Sequence, residues 1–488
     1  MASRNVKNDV RFGTDGWRGI IARDFTFDNV ARAAQAVVDY LQDPTRIEND
    51  IYRDWGSPYR PAENGIVVGY DTRFLSEDFA LHFARVVQGE GVPVVLSDRF
   101  VPTPALSYAV VASAAACGIM FTSSHNPPLY NGLKVKAEYG GSAPGSVTSE
   151  IEARLPQRPP ALEPSDVRRA DLRTPYLERI RELIDQDRLT SSPIHVVIDS
   201  MYGSAQGCVA EILDRLAVSN TPIRARRDVL FGGRKPEPLE ENLVPLRAVL
   251  RSMKSTKERR IGVVTDGDGD RISAMDEKGG FIDAHRTYAL LLRYLVEERN
   301  QRGAIVVSFN LSDLVRRIAA AYDLEIIEIP IGFKHAAEHI VKRDILIAGE
   351  ESGSLAIRGH IPERDGVLLS LLLAEILATS SQPISRMVEE LHERFGPQVY
   401  HRRDIEVEER LEIVEKLTTS PPDRFAGRAV RAVETLDGLK LRFQDGWLLF
   451  RASGTEPILR IYCEMTTEKD VKKVLDEAVR RARGDLTS

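Results

Sequence analysis

The sequence predicts an α/β protein: three similar doubly wound α/β domains plus a smaller α+β C-terminal domain around one central cleft. Three observations carry this expectation: a strand-turn-helix unit that occurs three times, a second apolar strand after each unit that ends in a polar turn, and a change of pattern near Gly396. The first unit is Ile66-Val-Val-Gly-Tyr-Asp-Thr-Arg73 leading into SEDFALHFARVVQ. The second is Ile194-His-Val-Val-Ile-Asp199 before GSAQGCVAEILDRL, and the third is Ala304-Ile-Val-Val307 before LSDLVRRIAAAY. A short apolar run, a turn and an amphipathic helix together make the building unit of a parallel sheet covered on both faces. About 40 to 70 residues further on, each unit is followed by a strand that runs into a small charged turn. These turns are GIMFTSSHNP, IGVVTDGDGDR and ILIAGEESG. Ligands of open α/β sheets bind beyond the carboxyl ends of the strands, so each predicted domain lends one loop to a shared cleft.

Boundaries are expected at the Pro-rich LPQRPPALEPSD (155–166), near Phe281 to Arg286, and near Gly396. They divide the chain into 1–165, 166–283, 284–395 and 396–488. Beyond Gly396 come RRDIEVEERLEIVEKL, the short strands LKLRF and WLLFRAS, and a closing helix. In that helix Val471, Val474, Leu475, Ala478 and Val479 recur at the spacing of one apolar face.

Composition narrows the class of function. With 488 residues, 43% apolar and 28% charged, the chain has the composition of a multidomain globular protein. The net charge is −6 and no basic block is present, which argues against a nucleic-acid partner. Cys117, Cys208 and Cys463 are odd in number, widely spaced and without metal-ligand spacing, as suits a reducing compartment. No run of 18 apolar residues and no N-terminal apolar stretch occurs, so a cytoplasmic enzyme with no membrane partner is expected.

Chemistry concentrates in a few loops. Asp266-Gly-Asp-Gly-Asp-Arg271 places carboxylates at alternate positions of an extended segment, on one side, where they can share a cation that prefers oxygen ligands. An EF-hand is the competing reading, because Glu277 falls at loop position 12. It fails because Arg271 stands at the position that needs Gly and because IGVV reads as a strand. Thr122-Ser-Ser-His-Asn-Pro127, with Tyr130-Asn-Gly-Leu-Lys134 behind it, brings hydroxyls, the His125 imidazole and an amine to one strand end. Taken alone it would pass for an ordinary turn, and no GxSxG elbow supports a serine hydrolase. Arg451-Ala-Ser-Gly-Thr-Glu-Pro-Ile-Leu-Arg460 gathers guanidiniums, hydroxyls and a Gly-exposed amide, the groups that bind a phosphate dianion. There is no GxxxxGK[ST], so a nucleotide phosphate is not expected. Phe12-Gly-Thr-Asp-Gly-Trp-Arg-Gly19 is another Gly-rich loop, and Gly349-Glu-Glu-Ser-Gly353 offers groups suited to sugar hydroxyls.

Taken together and in this order, TSSHNP, DGDGDR, GEESG and RASGTEP resemble the α-D-phosphohexomutase family, specifically its phosphoglucomutase and phosphomannomutase members, from about Phe12 to Arg460. The resemblance implies that Ser124 carries a phosphoryl group, with Ser123 a bystander. It implies that Mg²⁺ is held by Asp266, Asp268, Asp270 and the Ser124 phosphoryl group. Arg18, His125 and Arg271 would lie beside that group, and Lys134 would serve as acid/base or electrostatic partner. Lys334, Glu350, Ser352 and His360 would bind the sugar, while Arg451, Ser453, Gly454, Thr455 and Arg460 would hold its non-reacting phosphate. The implied reaction interconverts hexose 1- and 6-phosphates through a 1,6-bisphosphate, with glucose 1,6-bisphosphate as intermediate and activator. A monomer or dimer acting on small hexose phosphates is expected.

Ser354 stands where many mannose-type members carry His, and Gly359-His-Ile-Pro-Glu-Arg-Asp-Gly366 looks more like the glucose-preferring members. Glucose phosphates are therefore the expected substrates. Mannose phosphates or dual specificity are the alternative, a metal-dependent sugar phosphatase is less favoured, and a non-catalytic sugar-phosphate binder would not need the Ser124, Lys134 and Asp set.

Overall fold

The computed structural model describes residues 10–13, 15–160, 166–253, 258–454 and 457–483. Each of the first three sheets is built on three adjacent parallel strands. In the first, Ile66–Tyr70 lies between Val94–Ser97 and Cys117–Phe121. In the second, Ile194–Asp199 lies between Ser219–Ile223 and Arg259–Thr265. In the third, Ala304–Ser308 lies between Ile326–Ile329 and Ile345–Gly349.

Each trio then receives an antiparallel return strand: Tyr130–Lys136, Ile272–Met275 and Leu355–Ile357. The three polar turns picked out in the sequence are the connections into these return strands. They therefore project from the carboxyl ends of the parallel strands, where an open sheet binds its ligand. The fourth sheet is antiparallel, with Val399–Glu406, Ile458–Met465, Gly446–Ala452, Leu439–Arg442 and Ala432–Glu434 in that order. The helix Glu468–Ala482 buries Val471, Val474, Leu475 and Ala478 against it, whereas Val479 is only partly buried. The three α/β domains and the distinct C-terminal domain are thus as expected. The first sheet, however, runs past the expected boundary at 165/166, because Arg169–Ala170 pairs with Val94–Ser97 as its edge strand.

Alternate residues of the parallel strands enter different cores, which is the mark of sheets covered on both faces. Val67 joins a cluster with Leu106 and Tyr176, while Val68 packs with Phe79 and Phe121 on the other side. The first of these clusters also takes in Val196, Ile305 and Leu371, so the three α/β domains share one continuous apolar core. At its centre the helix Gly366–Thr379 buries every residue up to Ala378, which explains why GVLLSLLLAEILA is apolar all round. Among the described residues no single helix is long and apolar enough to cross a membrane. This helix passes such a test only jointly with Ile384–Phe395, across an 85° bend.

Glu375 is the one acid in that central helix and is fully buried. It takes Arg299 Nη2 at 2.6 Å and the Asp185 amide at 2.9 Å, and it also accepts from the Tyr294 hydroxyl. Glu375→Ala leaves these donors unpaired. It is expected to cost about 3 kcal/mol, at the low end for a broken buried pair because Arg299 is partly exposed. A fall of several degrees in the thermal midpoint is the expected readout. An unchanged midpoint would place the stabilisation elsewhere.

Candidate active site

The Ser124 loop starts where Cys117–Phe121 ends. Thr122 Oγ1 donates to Asp71 Oδ2 at 2.6 Å and accepts the Ser124 amide at 2.8 Å. Ser124 itself has φ +49°, a left-handed conformation that costs a non-glycine residue roughly 1–2 kcal/mol. Arg73 holds it there. This fully buried guanidinium donates to the carbonyls of Ser124 (2.6 Å), Asn126 (2.8 Å), Pro127 and Tyr130 (both 3.0 Å), and it is ion-paired to Asp71 at 3.2 Å. The strained turn aims the Ser124 hydroxyl at Asp266, to whose Oδ2 it donates at 2.8 Å; His125 Nδ1 lies 3.3 Å from the same Oγ. Burial, together with the charges of Arg271, Arg18 and Lys134, holds the His125 imidazole well below its usual pKa and therefore neutral. Ser123 is buried, and its hydroxyl makes no hydrogen bond among the described residues.

The acidic loop follows the strand Arg259–Thr265. Asp266 Oδ1 accepts the amides of Asp270 and Arg271 at 3.0 and 3.1 Å, which fixes the turn. Both glycines are demanded by geometry. A Cβ on Gly267 would lie 2.4 Å from the Ser124 carbonyl, and Gly269 has φ +73°. Asp266, Asp268 and Asp270 are all buried, and their ligand oxygens lie within 4.8 Å of one another. Burial and the neighbouring Asp268 and Asp270 charges raise the Asp266 pKa well above the carboxylate range. Burial acts most strongly to raise Asp268, but Lys134, Thr103 and Arg364 together outweigh it and hold that carboxyl low. Asp268 Oδ1 and Asp270 Oδ1 are buried without hydrogen-bond partners among the described residues. Oxygens left in this state, in a set of three convergent carboxylates, fit a hard divalent cation such as Mg²⁺. Glu277 points elsewhere, accepting from the Ser385 amide and hydroxyl, as the rejection of an EF-hand requires.

Lys134 reaches this loop from the return strand. Its buried Nζ contacts Asp268 Oδ2 at 2.8 Å, Asp270 Oδ2 at 2.9 Å and Asp15 Oδ2 at 2.9 Å. Burial alone would lower its pKa, but Asp15, Asp268 and Asp270 together raise it above the ordinary lysine value, so it stands as a fixed positive charge. Arg364 completes the cluster, with Nη2 2.6 Å from Asp270 and 2.8 Å from Asp15. Asp15 and Arg364 lie inside loops already marked in the sequence, FGTDGWRG and GHIPERDG, but nothing in the local pattern singled them out. Arg73 was likewise visible only as the end of the first repeat unit. Arg18 donates from Nη1 to Asn126 at 2.7 Å, and Arg271 lies 3.7 Å from Glu237, with its Nε buried and lacking a hydrogen bond among the described residues.

The Gly349–Gly353 loop sits directly on the acidic loop, since the Ile272 amide donates to the Gly353 carbonyl at 3.0 Å. Gly353, at φ +81°, would place a Cβ 2.2 Å from the Ile272 carbonyl. Glu350 accepts the Gly332 amide at 2.6 Å, and Ser352 and Ser354 share a 2.8 Å hydroxyl contact. Burial raises the Glu350 pKa. Lys334 lies in the first turn of Phe333–Lys342, two residues beyond the amide that Glu350 binds.

His360 does not join this group. Its side chain is 1% exposed, bonded to Asp365 at 2.9 Å and packed near Tyr108 and Tyr176, so it serves the junction between domains rather than a ligand. In the fourth sheet Arg451 stands directly opposite Arg460, a like-charged pair that is unfavourable without anions. Arg451 finds Asp437 at 3.0 Å, and Arg460 lies 3.9 Å from Asp404. Ser453 donates its amide to the Ile458 carbonyl and Gly454 follows it; Thr455 lies outside the described residues. A cleft of about 700 Å³ opens beside Arg271, Glu237, Ser352, Glu351 and Arg402, so it is lined by the second, third and fourth domains.

Hydroxyl, convergent carboxylates and fixed positive charges gathered in this way suit phosphoryl chemistry. The chain matches the four consecutive parts of one family: phosphoglucomutase/phosphomannomutase alpha/beta/alpha domain I over residues 9–160, domain II over 174–280, domain III over 283–395, and the C-terminal domain over 406–481. It belongs to the phosphoglucomutase/phosphomannomutase family and is a phosphohexomutase, an isomerase. A phosphoglucomutase/phosphomannomutase of Thermococcus kodakarensis is 29% identical over 96% of this chain and 97% of its own length. A phosphoglucosamine mutase of Carboxydothermus hydrogenoformans is 27% identical over 96% and 98%. A crystal structure described as a "putative phosphomannomutase" from Thermus thermophilus superposes with a TM-score of 0.84 at 34% identity, covering 97% of this chain and 99% of that one.

Proposed function

We propose that this enzyme interconverts α-D-glucose 1-phosphate and glucose 6-phosphate through phospho-Ser124 and glucose 1,6-bisphosphate. The observation that carries this reading is the Ser124 hydroxyl on Asp266 at 2.8 Å, with Lys134 bridging Asp268 and Asp270 alongside. The 6-hydroxyl of the hexose 1-phosphate gives up its proton as its oxygen bonds to the phosphorus of phospho-Ser124; the bond from phosphorus to Ser124 Oγ breaks, Oγ takes up a proton, and the bisphosphate forms. The bisphosphate then turns around and returns its other phosphoryl group to Ser124. Mg²⁺ held by Asp266, Asp268 and Asp270 would neutralise phosphoryl charge. Lys134, Arg18 and Arg271 stabilise the same charge from the protein side, and Arg73 keeps the serine turn in its strained conformation. Glu350 and Ser352 read the sugar, with Lys334 beside them. Arg451, Arg460 and the Ser453–Gly454 turn take the phosphate that is not reacting.

The preference for glucose rests on GEESGS and GHIPERDG, which resemble glucose-type sequences. Because the bisphosphate binds in two orientations, the sugar loop has to read O3 and O4, which glucose, mannose and glucosamine share. Discrimination at C2 is then limited to about 1–3 kcal/mol, so mannose phosphates are turned over more slowly rather than refused. Relatives named for glucosamine phosphate make that sugar the third substrate to compare. Incubation with glucose 1-phosphate, Mg²⁺ and a trace of glucose 1,6-bisphosphate should yield glucose 6-phosphate. Release of inorganic phosphate instead would indicate a phosphatase, and a higher kcat/KM for mannose or glucosamine phosphate would overturn the glucose assignment.

Arg451→Ala should raise KM for hexose phosphates about ten- to a hundredfold, since a lost charge-assisted phosphate contact is worth roughly 1.5–3 kcal/mol. Unchanged kinetics would put the distal phosphate elsewhere.

A further inference from the structure

Asp437 joins two loops that come from different domains. It lies in the turn before Leu439–Arg442, and both of its carboxylate oxygens are 3.0 Å from Arg451 Nε. Its Oδ2 also accepts the Ile331 amide at 2.8 Å, across the boundary between the third and fourth domains. The next amide along, that of Gly332, is the one bound by Glu350 of the sugar loop at 2.6 Å. The approach depends on Gly438. At φ +101° it leaves room that a Cβ could not share, since that atom would lie 2.3 Å from the Phe450 carbonyl and 3.2 Å from Arg451 Cα. A second contact joins the same two domains, with Arg402 of the strand Val399–Glu406 3.6 Å from Glu351.

We infer that Asp437 is a positioning residue that aims Arg451 and locks the phosphate loop of the fourth domain onto the sugar loop of the third. This rests on the proposed role of Arg451 in holding the non-reacting phosphate. By engaging Nε, Asp437 orients the planar guanidinium and leaves its terminal nitrogens as the edge presented to a dianion. By taking the Ile331 amide, next to the Gly332 amide that Glu350 binds, it ties that edge to the third domain. The phosphate is held before and during phosphoryl transfer alike, so the contribution is uniform binding and appears in KM.

Asp437→Asn keeps the size and one acceptor but loses the charge. KM for glucose 1-phosphate is expected to rise about tenfold, with kcat changed by less than about threefold and the thermal midpoint retained. In an Arg451→Ala background the same substitution should add nothing, because Asp437 acts through Arg451. A lower midpoint with unchanged KM, or an equal rise in KM in both backgrounds, would overturn the inference. Binding of inorganic phosphate, measured by calorimetry, separates this inference from the mutase reading. If the unmodified enzyme turns over no hexose phosphate, the mutase reading fails. A phosphate affinity weakened about tenfold by Asp437→Asn would still support the positioning role, and an unchanged affinity would overturn it.

Discussion

Ser124→Ala should lower mutase turnover by at least about 10⁴-fold and remove any phosphoserine seen by intact mass. The reason is positional. Ser124 Oγ is the hydroxyl that reaches Asp266, on a left-handed turn that Arg73 holds through four carbonyls. No neighbouring hydroxyl can take over: Thr122 Oγ1 is engaged with Asp71 and the Ser124 amide. Ser123 lies on the same turn, yet its hydroxyl makes no bond to the acidic loop among the described residues. Ser123→Ala should therefore be mild. If the two outcomes were exchanged, the nucleophile would be Ser123.

Asp268→Asn is the second large effect expected. The carboxylate anchors Lys134 at 2.8 Å and Thr103 at 2.6 Å through Oδ2, while Oδ1 is left without a partner in a buried site. A neutral amide keeps the shape but loses the charge that balances Lys134 and a bound cation. Turnover should fall on the order of 10³-fold, equivalent to the several kcal/mol of charge stabilisation at stake. The Mg²⁺ concentration needed for half-maximal activity should rise in parallel. Full activity of the unmodified enzyme after exhaustive chelation would refute the metal assignment, and full activity of Asp268→Asn would remove Asp268 from the ligand set.

Much of this site could be read in the linear chain because its loops follow directly from strands. Runs such as IGVVT and ILIAG end in small, charged turns, and the acids of DGDGDR lie so close in sequence that any fold keeping the turn also keeps the cluster. The failure of an EF-hand at Arg271 was legible for the same reason, whereas the need for both glycines of that turn came only from the structure. His360 shows the limit. Its nearness in sequence to the sugar loop says nothing about which way its ring points, and packing near Tyr108 and Tyr176 turned it into the domain junction.

The repeat of three α/β units, the fourth domain of different pattern, and the loops that carry serine, acids and arginines could all be read from the linear chain, because they depend on local periodicity and short spacing. What those loops meet depends on contacts between distant parts of the folded chain. Asp15, Lys134, Asp270 and Arg364 come from three domains and form one buried charge cluster. Asp437 reaches from the fourth domain to an amide of the third. Buried charges require partners, and the chain supplies them from positions far apart in sequence; which acid meets which base is settled by how the domains pack around the core they share.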